Sequence, residues 1–133
     1  MKTEYKNCFI CGIENKVGLK LDFYYKGHKA YANWIADKNY EGFEETIHGG
    51  IIASLIDEAV AKIIIENGFL AVTVELNVKY LKPLKVGTEI VISGEIIDHR
   101  RKLINGKAII YNKNDNNLIY ATGNAKYYVI DGD

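Results

Sequence analysis

The sequence predicts an α+β domain in which an antiparallel sheet curls around one long helix. Three observations lead there. Gly49 to Glu66 (GGIIASLIDEAVAKIIIE) places apolar residues at helical spacing, with Asn67-Gly68 behind it as a stop signal. Four stretches with strand patterning follow it, joined by short connections: Ala71 to Leu81, Thr88 to Asp98, Lys102 to Tyr111 and Leu118 to Ile130. Two more such stretches precede it, and strands ahead of and behind a single helix suit a sheet wrapped on that helix.

The first expected strand is Gly18 to Tyr25, where Leu19, Leu21, Phe23 and Tyr25 alternate with largely polar residues. Lys26-Gly27 turns it into a second, His28 to Ala36, and the polar, irregular Asp37 to Ile47 reads as a loop. The helix is apolar around most of its circumference, so protein must cover it on more than one side. After it, Val72, Val74, Leu76, Val78 and Tyr80 alternate with Thr73, Glu75, Asn77 and Lys79, which gives that strand one packed and one polar face. Asn112 to Asn117 (NKNDNN) reads as a hairpin loop.

The chain has 133 residues, the size of a single domain. With 48% hydrophobic and 26% charged residues it has the material for a core and lacks the signature of disorder. Seventeen basic residues balance seventeen acidic ones, so a broad positive field for nucleic acid is not expected. No apolar leader opens the sequence and no run is long enough to span a membrane, which predicts a soluble, cytoplasmic protein. A core this shallow gains burial by oligomerising, so a homo-oligomer is expected.

The helix carries few polar side chains. Glu58, Lys62 and Glu66 are four residues apart and can form a ladder of ion pairs on an exposed edge. Asp57 has Gly50, Ala53, Ser54, Val60, Ala61 and Ile64 as helical neighbours and no cation on its own stripe. Such a carboxylate must protonate or find a partner elsewhere, which makes Asp57 the leading candidate for a general base or acid. A structural alternative is a loop cap or an ion pair with a strand lysine. At the helix start, His48-Gly49-Gly50 lets backbone N–H groups approach a ligand closely, where the unpaired amides and the helix dipole can hold a developing oxyanion. A tight junction that needs glycine for steric reasons is the plainer reading.

Tyr40 to Glu58 (YEGFEETIHGGIIASLIDE) with Thr73 to Pro83 (TVELNVKYLKP) resembles the hotdog-fold acyl-CoA thioesterases, in the branch related to phenylacetate-pathway enzymes. Cys8 to Leu19 (CFICGIENKVGL) resembles a subgroup with a CxxCG opening. The resemblance implies subunits paired into a continuous sheet, commonly as a dimer of dimers, with active sites at the interface and acyl-CoA as substrate. It further implies Asp57 as base or nucleophile, the Gly49 amide as carbonyl polariser, Gly50 as the shaper of the turn, His48 as its orienter and Thr73 as a hydroxyl holding water near the carboxylate. Many relatives carry Asn or Gln six residues before the histidine, where this chain has Gly42.

Glu58 is kept beside Gly42 as a candidate substrate contact. The basic cluster His99, Arg100, Arg101 and Lys102 is either a solvated hairpin or, with Lys82, a grip on the phosphates of coenzyme A. Cys8 and Cys11 have the spacing of half a zinc site, yet the chain offers only His28, His48 and His99 to complete it, so an inert turn is expected and neither metal nor cofactor. Two further readings remain: a binding module that holds acyl-CoA without turnover, and a hotdog dehydratase, to which the spacing of His48 and Asp57 is a poor match.

Overall fold

A computed structural model describes residues 5–132. Six strands form one antiparallel sheet: β1 (Tyr24–Lys26), β2 (Lys29–Ile35), β3 (Phe69–Tyr80), β4 (Glu89–Arg100), β5 (Leu103–Asn112) and β6 (Asp115–Gly132). Their order is β1-β2-β4-β5-β6-β3, and the helix α1 (Gly49–Glu66) lies against β2 through β6. The helix matches its expected bounds. His48 caps its start and Asn67 its end, with Gly68 at φ 94° in the left-handed region that glycine tolerates.

Ile52, Leu55, Ile56, Ala59, Val60, Ile63 and Ile64 of α1 are buried, in a core shared with Leu84, Ile90, Ile92, Ile104 and Ile110. The helix settles deeply because the strands beneath it are lined with small residues. Gly94, Ala108 and Gly123 stand side by side across β4, β5 and β6. A Cβ on Gly94 would come within 2.5 Å of the Ala59 carbonyl oxygen, and one on Gly123 within 2.6 Å of Ile56 Cγ2.

Four expectations need correction. The β3 face expected to pack is about half exposed at Val72, Val74 and Tyr80. Thr73, from the face expected to be polar, turns toward the helix, because a register shift between Thr73 and Glu75 leaves only Leu76 and Val78 of the expected face on the core. The strand foreseen over Gly18 to Tyr25 shrinks to Tyr24–Lys26. Its alternation is real, since Leu21 is buried and Leu19 and Phe23 pack on the core. Its backbone, however, bonds to the N-terminal segment, Leu19 N–H to Phe9 O and Leu21 N–H to Ile10 O, and Lys20 at φ 54° breaks the extended run. The loop foreseen at Asn112 to Asn117 reduces to Lys113-Asn114, because Asn112 already pairs with Asp115. The Glu58–Lys62 edge is covered, as the N-terminal segment lies over it, and both side chains are at least four-fifths buried.

Candidate active site

Asp57 is half-buried on α1, facing the end of the sheet where β6 meets β3. Thr73 on β3 and Tyr127 on β6 are direct cross-strand partners, so their side chains leave the same face. Thr73 Oγ1 donates to Asp57 Oδ1 at 2.8 Å. The Tyr127 hydroxyl lies 2.5 Å from the same Oδ1 and 2.7 Å from the Asp57 backbone carbonyl, with one hydrogen to serve both acceptors. Burial, then the charge of Asp57 and the hydrogen bond to it, push the Tyr127 phenol well above the usual tyrosine range, so it stays a donor at neutral pH. An ionised carboxylate is acceptor only, and two hydroxyl donors suit it. Oδ2 takes no hydrogen bond among the described residues, and no lysine pairs with Asp57 there.

The β3–β6 register slips between Thr73 and Glu75, so Val74 is an extra residue on β3. This bulge sits beside the carboxylate and sets where the Thr73 side chain points. The sequence reading anticipated Thr73 only through the family resemblance and missed Tyr127 altogether. Seventy positions separate Tyr127 from Asp57, and only the strand register joins them.

At the other end of the site, His48 Nδ1 accepts from Gly50 N–H at 2.8 Å. Ile51 and Ile52 N–H both turn to His48 O. Gly49 N–H is thus the amide of this turn with no acceptor among the described residues. The Tyr80 hydroxyl donates to Gly49 O at 2.8 Å, which ties the end of β3 to the helix start. Gly49, Tyr80 and Lys82 share a cavity of about 320 Å³ with Ile52 and Pro83. Gly42 lies against His48: a Cβ there would fall 2.9 Å from His48 Cα and 3.0 Å from its ring.

The other predicted residues lie apart. Arg100 ends β4 and Arg101 lies in the β4–β5 turn, next to His99, whose ring packs edge-on against Phe69 at 4.8 Å just past the helix C-terminus. Lys82 is near the helix N-terminus, so the length of α1, about 27 Å for its 18 residues, separates the two groups within one chain. Glu58 points away from Asp57, toward Cys8 (Sγ to Oε2, 3.5 Å) and Lys62 (Nζ to Oε2, 3.7 Å). Burial, followed by the contact with Cys8, raises the Cys11 thiol to about 12. Burial works against the Lys62 ammonium, but its Cys11 and Glu58 partners outweigh it and hold its pKa above the usual lysine value.

Residues 44–119, more than half of the chain, match the Thioesterase superfamily. The chain belongs to that superfamily. Acyl-coenzyme A thioesterase 13 of Mus musculus is 36% identical over 76 residues, which are 56% of this chain and 54% of that protein. Its Homo sapiens counterpart is 33% identical over the same shares. The chain spans about half the length of the curated relatives it matches. Among solved structures, a Streptococcus mutans protein bound to acetyl-CoA superposes with TM-score 0.78 at 21% identity, covering 84% of this chain and 90% of that one. Thioesterase superfamily member 2 of Mus musculus superposes with TM-score 0.76 at 24% identity, covering 98% and 100%. The PaaI protein of the Escherichia coli phenylacetic acid degradation operon does so with TM-score 0.77 at 20% identity, covering 86% and 82%. The fold of this thioesterase-superfamily chain is the hotdog fold, with its six-stranded antiparallel sheet and one long helix. No helix among the described residues is long and apolar enough to cross a membrane.

Proposed function

We propose that this chain is an acyl-CoA thioesterase that hydrolyses a thioester to a free acid and coenzyme A, with Asp57 as its carboxylate. The observation that carries the reading is the fixed posture of Asp57: Oδ1 held by Thr73 and Tyr127, Oδ2 left without a bond among the described residues. In one route Asp57 takes a proton from water as the water oxygen attacks the thioester carbonyl. The tetrahedral oxyanion collapses, the C–S bond breaks, and the coenzyme A thiolate leaves and takes up a proton. In the other route the carboxylate itself attacks, and water opens the resulting mixed anhydride. Heavy-oxygen water in a single turnover separates them, since only the second route labels Asp57.

The Gly49 amide is the oxyanion donor in this reading. It precedes Asp57 by eight residues on one helix, about 12 Å along the axis, too far for both to reach one carbonyl carbon. A complete site therefore takes the amide from one chain and the carboxylate from a second copy. Support for such pairing lies at β3, which among the described residues is a sheet edge bonded only to β6 and bears Val72 and Val74 about half exposed. A long apolar edge of this kind is ready to pair with another chain. In this reading Lys82, which lines the cavity with Gly49, meets a coenzyme A phosphate, and Arg100 and Arg101, at the far end of the helix, reach the same ligand only by way of a second subunit.

The alternative of an acyl-CoA carrier without turnover is supported by Gly42, where the missing side chain removes a possible water or carbonyl contact. Free-thiol release from a panel of short, medium, long and aromatic acyl-CoAs separates the two. Turnover supports the enzyme; tight calorimetric binding with no turnover on any substrate supports the carrier.

A further inference from the structure

Cys8, Cys11, Glu58 and Lys62 form a cluster that thioester hydrolysis leaves unused. An α-helix turns about 100° per residue, so consecutive Asp57 and Glu58 serve different surroundings: the first meets Thr73 and Tyr127, the second the N-terminal segment. We propose that Cys8, Cys11 and Glu58 bind a zinc ion, or another thiolate-preferring divalent ion, with a fourth position open to water. Counting histidines alone left this pair of cysteines without a third ligand; the third is a helix carboxylate.

The distances fit. A tetrahedral zinc site with ordinary bond lengths places two sulfurs about 3.8 Å apart and a sulfur and a carboxylate oxygen about 3.5 Å apart. Cys8 Sγ lies 3.5 Å from Glu58 Oε2, and the three ligand atoms all lie within 4.8 Å of one another. An ion therefore draws them together by no more than about 1.3 Å. The two sulfurs are also pre-placed. Gly12 N–H bonds to Cys8 O at 2.9 Å, and the turn is so tight that a Cβ on Gly12 would meet Cys8 N at 2.3 Å. Cys11 N–H donates to Cys8 Sγ at 3.4 Å, an outer bond of the kind that supports a metal-bound thiolate.

Charge and access fit as well. Two thiolates, one carboxylate and a divalent cation leave one negative charge, which the Lys62 ammonium balances from 3.7 Å. The Tyr5 ring stacks on that ammonium at 5.0 Å and helps fix it. A cavity of about 350 Å³ includes Cys11, Lys62 and Tyr25 in its wall, so water can reach a fourth position.

The test is metal binding by the purified full chain, reduced, stripped with a chelator and titrated with Zn²⁺ against a chromophoric competitor, then with Co²⁺. The expected result is one ion per chain, a sulfur-to-cobalt charge-transfer band, and protons released on binding. Cys8→Ser and Cys11→Ser should each weaken binding by at least about 100-fold. Glu58→Gln should weaken it by about 10-fold or more while the charge-transfer band persists, because both sulfurs remain. His28→Ala should change nothing, and circular dichroism on every variant separates ligand loss from unfolding. Zinc that binds no better to wild type than to folded Cys11→Ser would overturn the proposal. So would full affinity in Glu58→Gln, or a dithiol that closes to a disulfide yet binds no metal when reduced.

Discussion

Thr73 and Tyr127 stand directly opposite each other across β3 and β6, and their hydroxyls converge on one oxygen, Oδ1 of Asp57, at 2.8 and 2.5 Å. The carboxylate is thereby aimed by two donors from two strands. Hydrogen bonds to a charged group contribute about 1.5 to 3 kcal/mol each. Thr73→Val and Tyr127→Phe should therefore each lower kcat by about 10-fold or more with KM nearly unchanged. Steady-state kinetics check this, and an unchanged kcat in both variants would remove these residues from the account.

Alkaline stability follows from the Tyr127 phenol. Its folded pKa lies above the unfolded value of about 10. The folded state thus holds the proton more tightly, and this contribution is complete below pH of about 10 and lost as pH rises through the folded value. Between pH of about 8 and about 11, the Tm of the wild type should fall further than that of Tyr127→Phe. Parallel declines in thermal melts would contradict this.

Placing at position 42 the amide side chain that the family resemblance implies should do harm. The new Cβ would meet His48 Cα at 2.9 Å and its ring at 3.0 Å. Gly42→Asn should shift the His48-Gly49 turn and cost about 1 to 3 kcal/mol in urea unfolding, with thioester turnover lowered. A stable variant with raised turnover would mean that the turn has room.

A charge placed on the β3 edge tests the paired-subunit reading. Val74 is 55% exposed, so Val74→Glu should leave the chain folded. Sedimentation equilibrium should show a shift to monomer with activity lost in parallel. An active monomer would show that one chain suffices.

Much of the architecture was legible from local pattern. The helix bounds followed from the apolar spacing and the Asn67-Gly68 stop, and each later strand began or ended within a few residues of its alternating stretch. The early strand failed because alternation reports which side chains face inward and is silent on which backbone they bond; Leu19 and Leu21 bond to Phe9 and Ile10. Asp57 stood out as a carboxylate without a cation on its stripe. Tyr127 did not, because only the β3–β6 register and the depth of the helix on its Gly94 and Gly123 bed bring it to Asp57. Glu58 was misjudged for a similar reason: helical spacing identified its Lys62 partner but could not show that the chain's own N-terminal segment covers the pair.

The central claim is that Asp57 carries thioester hydrolysis. The most direct measurement is free-thiol release from the acyl-CoA panel by wild type and Asp57→Asn, each verified as folded. The account predicts turnover by the wild type and a loss of about 100-fold or more in the variant, the scale of a missing general base. A folded Asp57→Asn protein that turns over acyl-CoA at the wild-type rate would contradict it.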